Sequence, residues 1–307
     1  KQGKAYMNVH TVNFPGGEIN GHLTLAEGTM TFSAPPAPPT WTDDHTSSNA
    51  IARFLQQATF GTSQNEMKSV KALGYEGWLK KQFRIPATSH LKNVNATMDL
   101  TEGFISELTF NTWWKHSVTA PDQLRQRVAF ALSEILVASA EGVIPPGVST
   151  YNDILLNHAF GNFRDLLEGV TLSAAMGYYL NMLANDKEDI FRGTHPNENY
   201  AREILQLFSI GLNRMWPDGS LVLNSKGEPV PTYDQNVIIG YSRVFTGWHF
   251  YQTNRMTPPA GVTNKTHKLI QRLPNNWYPH PDFTNRMVLV PMHHELGTKA
   301  LLDNVVL

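Results

Sequence analysis

The stretch HPNENYAREILQLFSIG, His195 to Gly211, sets Asn197, Glu198, Arg202, Glu203 and Gln206 three and four residues apart. On a helix this spacing makes one polar stripe, with Tyr200, Ala201, Ile204, Leu205, Leu207 and Phe208 covering most of the remaining surface. Pro196 suits a first helical turn, and Asn197 and Glu198 fall where the helix dipole favours acceptors and negative charge. Glu198 and Arg202 are four apart, in the favourable order for an ion pair. As chemistry, Glu198 and Glu203 would be an acid/base pair and Arg202 would hold an anionic or hydroxyl-rich substrate. His195 and Asn197 would line the helix N-terminus, an anion site. Residues five apart on a helix diverge by about 140°, so Glu198 and Glu203 cannot both face the cleft that glycan hydrolysis needs. A second carboxylate must then come from another element, and Asp165, beside Arg164, is the first candidate.

A structural role competes with the chemical one. Arg164, Asp165 and Glu168 stand beside one apolar run, and Arg125, Arg127 and Glu134 beside another. Three helices each offering arginine and carboxylate suggest an internal network in which each guanidinium meets a carboxylate in two-point contact. Such a lock sets helix register without adding net stability, but removing one partner of a buried pair costs about 3–5 kcal/mol.

Histidines and aromatics give further candidates. His293, His294 and Glu295 are consecutive and are the metal-ligand candidates, although adjacent histidines point apart unless the backbone is irregular. Trp277 and Tyr278, in the irregular run LPNNWYPHPDF, are better placed to touch a ligand than Trp113 or Trp248, whose helical spacing reads as core. The chain has no G-x-S-x-G, phosphate-loop, dinucleotide-binding, H-E-x-x-H or EF-hand pattern, so no cofactor is assigned.

The chain has 307 residues, 41% hydrophobic and 17% charged, enough for one large domain with a substantial core. A formal net charge of −1, with no basic run interleaved with aromatics, excludes a nucleic-acid footprint. There is no cysteine, which rules out disulfides, thiolate metal sites and thiol catalysis. The longest apolar stretch, VAFALSEILVASAEGVIPP, carries Glu134 and Glu141 and ends in prolines, so it reads as a buried helix and not a membrane span. Beginning at Lys1 without a signal sequence, the chain reads as a mature product or a fragment.

The elements that must position these residues follow from pattern. Residues 1–27 read as strand, turn at NFPGG, strand, and are followed by a linker over 28–46 marked by Pro35, Pro36, Pro38 and Pro39. From 47 to 307 the periodicity is helical. Ile51, Phe54, Leu55 and Ala58 share a face, and a capping box Ser63-x-x-Glu66 opens a helix stopped by Gly74. A helix over 103–116 carries Phe104, Leu108, Trp113 and Trp114. The next opens near Thr119 and Asp122 and turns Leu124, Val128, Ala131, Leu132, Ile135 and Leu136 inward. Short helices follow, restarting at Asn162 or Ser173. A β-hairpin with turns at Asp218-Gly219 and Lys226-Gly227 precedes a helix capped by Thr232-x-x-Gln235. No internal repeat is evident.

Two resemblances attach to these patterns. YMNVHTVNFPGGEINGHL is similar to the closing strands of a chordin-type CHRD domain, an extracellular β module, which implies that the rest of that sheet lies elsewhere. The ordered motifs ARFLQQATFG, LGYEGWL, LRQRVAFALSEILVAS, AFGNFRDLLEGVTLSAAMGYYL, PNENYAREILQLFSIGL, PVPTYDQ and RVFTGW resemble the bacterial domain of unknown function 1800 family over about residues 48–307. That resemblance implies export but transfers no activity, cofactor or residue role. The expectation is therefore a mainly α, single multi-helix domain with a small inserted β-hairpin, preceded by the remnant of a β module. Its location would be secreted, periplasmic or cell-surface. Its function would be an enzyme acting on an extracellular polymer such as a glycan, or a non-catalytic envelope or matrix protein that binds glycan or envelope partners.

Overall fold

Helices fall largely where apolar periodicity and capping side chains put them, and strands are few. The computed structural model describes residues 5–11, 14–26, 29–32, 44–100, 107–191, 193–251 and 282–307. In chain order, β1 (Ala5–Thr11), β2 (Phe14–Ala26) and β3 (Thr29–Phe32) precede α1 (Ser48–Ala58), α2 (Gln64–Arg84), α3 (His90–Leu100), α4 (Leu108–Thr119) and α5 (Gln123–Ile135). There follow α6 (Pro145–His158), α7 (Phe163–Thr171), α8 (Ala174–Tyr179), α9 (Asn199–Gln206) and α10 (Gln235–Val244), then a two-residue pair β4 (Trp248–His249) and β5 (Val288–Leu289). The fold is mainly α. No helix among the described residues is long and apolar enough to cross a membrane. The chain divides into two units, residues 1–43 with 210–233, and residues 44–209 with 234–307.

In the first unit, β1–β2–β3 form an antiparallel meander. Four of the five residues of NFPGG lie in β2, which begins at Phe14 opposite Thr11, and Asn13 lies outside the described residues; the register slips before Val9 meets Ile19, so Pro15 to Glu18 form an irregularity within the sheet. β3 lies inside the stretch expected to be linker and supplies a third strand, while the proline run lies outside the described residues.

Residues 210–233 are built from an eight-residue repeat that the sequence reading does not find. The Val222 amide donates to the Arg214 carbonyl, Val230 to Val222, and Arg214 to Val230, at 2.8–2.9 Å, closing a ring of three. The two connections match as well. Gly219 donates to Trp216 and Gly227 to Asn224, each glycine with φ of 82°, a left-handed conformation that favours glycine. Both turns fall at Asp218-Gly219 and Lys226-Gly227, where those dipeptides predict them.

In the second unit, Ser47, Ser63, Asn162 and Asp234 accept amides of the first turns of α1, α2, α7 and α10. Asp234 thus caps α10, not Thr232, whose hydroxyl bonds the Gly211 carbonyl. The Ser63 box is half formed, because Glu66 turns away to accept the Trp78 indole N–H. Gly74, at φ 70°, kinks α2 where a stop is expected and lets it resume. Trp78 then packs with Ile51, Leu55, Val70 and Ala58.

Helix α6 is the hub, touching α3, α4, α5, α7 and α8. The two prolines expected to end the preceding helix instead open α6, where the missing amide costs nothing. Around it the inward faces of α4 and α5 are polar. α4 buries Thr109, Thr112, His116 and Ser117 and turns Phe110, Trp114 and Val118 outward. α5 buries Gln126 and Ala129, while Ala131 and Ile135 face solvent, contrary to the apolar-face reading. α3 is not foreseen by the sequence reading at all. On α10, Gly240 lies so close to the Ala300 carbonyl that a Cβ would overlap it.

Gly240→Ala should therefore push α10 off the C-terminal segment. A destabilisation of about 3 kcal/mol, the upper range for overpacking, is expected from urea unfolding, against a few tenths for the uncrowded Gly161→Ala.

Candidate functional site

Where α8 ends, two non-glycine residues, Asn181 and Ala184, take positive φ of 58° and 57° and fold the chain back. Left-handed alanine costs energy and persists only where its surroundings dictate it. Here the Ala184 amide donates to the Trp248 carbonyl, and Gly247 donates to the Asn185 carbonyl, both at 2.8 Å. The nearly buried Asn185 side chain then behaves like a peptide group. Its Oδ1 accepts the Asn197 amide at 2.7 Å and its Nδ2 donates to the Asn197 carbonyl at 3.3 Å. That sideways tie keeps residues 195–198 out of the helix, so α9 starts at Asn199 and Pro196 is not in its first turn. At the other end α9 stops at Gln206, short of Gly211.

The polar stripe is partly covered by α10. Glu198 accepts from Arg202 at 2.9 Å and, through both oxygens, from Gln235 Nε2 at 3.0 Å. The Glu198 and Arg202 side chains keep 33% and 40% of their exposure, so this is a half-open pair and not a buried lock. Upstream, Glu188 meets His195 Nδ1 at 3.1 Å and Arg243 at 3.4 Å. Asn197 Oδ1 accepts the Asn199 amide, and Asn199 Nδ2 donates to Asn181. Glu203 points elsewhere, as the helical angle requires, with Oε2 buried and no protein donor on it.

The consecutive His293, His294 and Glu295 diverge to three partners. His293 Nδ1 lies 2.6 Å from Asp186 Oδ1, while His294 Nδ1 lies 2.9 Å from the Thr246 carbonyl. Glu295 accepts the Gly297 amide at 2.8 Å. That amide holds Glu295 below the usual carboxylate range, against partial burial, with Arg243, the Glu188 amide and Lys299 adding to the effect. His249 packs 4.8 Å from the His293 ring, and burial, reinforced by His293, lowers its pKa against the pull of Asp186. Among the described residues no group of three or more His, Asp or Glu is arranged to hold a metal ion.

The three-helix arginine–carboxylate network is not formed. Arg125 donates to the Leu156 and Ile85 carbonyls and lies over the Phe160 ring, and Arg127 lies over Phe60. Asp165 stays in the first turn of α7 and Arg164 beside it, and no hydrogen bond or ion pair among the described residues joins either to Glu198. Trp277 and Tyr278 lie outside the described residues. Of the sequence candidates, Glu198 thus pairs with Arg202 and Gln235, Asn197 with Asn185, His195 with Glu188, which also meets Arg243, and His293 with Asp186 and the His249 ring, while Glu295 feels the charge of Arg243. Glu188 is seven residues from His195, a spacing within reach of sequence reasoning. Asp186 is 107 residues from His293, and no local signal links them.

A second polar cluster lies in the core under α4 and α5. Asp153 of α6 accepts Ser89 Oγ at 2.5 Å and the His90 amide at 2.7 Å, covering the start of α3. Asp122 accepts the Thr88 hydroxyl and amide, and Gln126 bridges Asp122 to His90 Nε2. The His90 and His116 rings meet edge to face at 4.8 Å, each with a buried Nδ1 that has no protein partner. A cavity of about 20 Å³ lined by His90, Gln126, Trp113 and Ser133 has room for one water. Burial lowers both imidazoles, His116 to about 4 with His90 and Lys115 adding to the effect. Burial raises Asp153, against its hydrogen bonds.

Compared with known proteins, residues 53–306 match the model of a family described as protein of unknown function (DUF1800). No curated protein and no solved structure matches the chain.

Two outcomes follow from these geometries. Glu198→Ala should cost about 1 kcal/mol, the value for a half-exposed pair and not a buried one, read from urea unfolding. A histidine whose folded pKa is depressed binds protons more readily when unfolded, so its contribution is present above about pH 6.5 and lost on acidification. Asp153, raised, works with the opposite sign and only where carboxylates titrate. Melting temperature should therefore fall between about pH 6.5 and 4, and His116→Gln should flatten that fall.

Proposed function

Given that the chain belongs to the DUF1800 family, whose function is unknown, we propose that it is an exported bacterial protein that binds an extracellular polymer or envelope partner without transforming it. The observation that carries this reading is the occupancy of the polar face. Both oxygens of Glu198 are taken by Gln235, and Glu188 is taken by His195 and Arg243. An acid/base carboxylate must be free to reach substrate; these hold the chain together. The loop they fix ends in Ile190 and Phe191, exposed to 84% and 102%. Two adjacent large apolar side chains standing this clear of the protein support a contact with a partner. The outward Phe110 and Trp114 of α4 offer flat faces suited to sugar rings.

A second reading, an enzyme acting on a glycan, is favoured by the Asp186–His293 contact. A carboxylate on Nδ1 orients an imidazole so that Nε2 can carry a proton. Either role places the protein in the secreted, periplasmic or surface-associated space. On the same reading the N-terminal strands belong to a CHRD-like module.

Sedimentation with isolated bacterial cell-wall polysaccharide separates the two. Wild type should co-sediment, and Ile190→Ser with Phe191→Ser should lose at least about tenfold in affinity, the scale of one buried aromatic anchor, at unchanged melting temperature. Release of soluble sugar fragments by wild type and not by His293→Asn would establish the enzyme instead.

A further inference from the structure

Helix α4 is packed with its apolar side out. Thr109, Thr112, His116 and Ser117 are buried, while Phe110, Trp114 and Val118, four residues apart and so in one row, each keep more than half of their exposure. Beside the row the rings continue inward. Trp114 meets Trp113 edge to face at 4.9 Å, and Trp113 meets Phe60 at 5.4 Å and Phe130 at 5.6 Å. Gln123 of α5 fixes this packing from behind. It accepts the Phe60 amide and donates to the His116 and Ala120 carbonyls, which ties the end of α1 to the end of α4.

A cation is seated on these rings. The Arg127 guanidinium stands 5.3 Å from the centre of Phe60 and 5.7 Å from that of Phe130. Arg125, two residues earlier, spends its donors on the Leu156 and Ile85 carbonyls. Arg127 spends none: no oxygen among the described residues accepts from it, and its nitrogens are open to solvent. On the other flank of the row, Lys115 gives one of its three N–H bonds to Asn93 Oδ1 at 2.9 Å. Glu107, just before α4, and Glu134, about two turns beyond Arg127 on α5, are paired with neither cation. A guanidinium already held against rings gives up little further freedom when an anion binds, and its planar fork matches a carboxylate.

We propose that this face binds a uronate polysaccharide, with Trp114 and Phe110 stacked on sugar rings and Arg127 taking a sugar carboxylate through two parallel N–H···O bonds. The unspent guanidinium is what favours an acidic sugar over a neutral one. An anionic bilayer is held by several Lys and Arg around an apolar face; here there are two cations, and one is backed by rings. The proposal rests on the preceding reading, a polymer bound without being transformed. It narrows that polymer to an acidic one and its site to the outer face of α4.

Calorimetric titration of the full chain with an oligogalacturonate tests it, beside the same oligomer with its carboxylates reduced to alcohols. Wild type should bind the acidic oligomer at least about tenfold more tightly, the scale of a charge-assisted hydrogen-bonded pair. In about 1 M salt that preference should shrink. Arg127→Gln should erase the preference and bind both oligomers as wild type binds the reduced one. Trp114→Ala should weaken both by about tenfold, the scale of one aromatic anchor, and leave the preference in place. Melting temperature establishes that the variants are folded. Should Arg127→Gln not fold, Arg127→Lys, which keeps the charge but not the fork, should lose part of the preference. Equal binding of the two oligomers by wild type, or binding of neither, would overturn the proposal, as would a preference that survives Arg127→Gln. Attachment to anionic phospholipid vesicles that Trp114→Ala abolishes, with no response to the oligogalacturonate, would overturn it in favour of a membrane surface. In each of these cases, cell-wall polysaccharide that still sediments with wild type and is lost with Ile190→Ser and Phe191→Ser would leave the preceding reading standing.

Discussion

The polar face depends on one amide. Asn185 takes the place of a peptide group beside Asn197, and because it is nearly buried, both of its bonds must be made. Once they are, Asn197 cannot enter α9, Glu198 becomes the helix boundary, and Arg202 and Gln235 find it there. The other side of the same residue accepts the Gly247 amide, which draws in the turn after α10 and, through Val290, the segment that carries His293. The three pieces of chain that meet here are far apart in sequence. What joins them is mostly backbone hydrogen bonding, with side-chain charges added where backbone pairing stops.

Magnitudes decide what those charges do. A carboxylate one-third exposed and shared between Arg202 and Gln235 contributes on the scale of a surface pair. The larger sums lie in the core, where Asp122 and Asp153 each satisfy donors around the start of α3. This is the reverse of what a charged stripe on an apolar helix suggests: the visible charges are marginal, and the ones hidden among α3, α5 and α6 organise the fold.

Local signals in the sequence were legible and distant ones were not. Ser47, Ser63 and Asn162 act on residues two or three ahead, and Gly219 and Gly227 act on their own φ, so the starts of α1, α2 and α7 and both turns of 210–233 can be read directly, whereas Gly74 signals a break but not that α2 resumes after it. Periodicity misleads at α4 and α5 because it assumes that the buried face is the apolar one. There Gln126, His116 and Thr112 turn inward to meet polar partners on α3 and its approach, and Phe110, Trp114 and Ile135 are left outside. Among the candidate residues, Glu198 with Arg202 is a helical neighbour pair and was visible. The partners of His293 and Glu188 across the fold, Asp186 and Arg243, were not, because only tertiary packing brings them near. The eight-residue repeat is faint in the sequence because its three copies share a glycine position (Gly211, Gly219, Gly227) and little else, with valine at the ring position in only two, Val222 and Val230, against Arg214.

The ring through Arg214, Val222 and Val230 carries a consequence for how this segment can vary. Each of the three passes one hydrogen bond forward and receives one from behind, so the cycle has neither a first nor a last member. A fourth copy of the octapeptide could not be spliced in without breaking a bond already made, and deleting one would leave two segments unable to close. Copy number is therefore set by geometry at three. Residues added at the tips, at Gly219 and Gly227, would lengthen a turn and leave the ring intact.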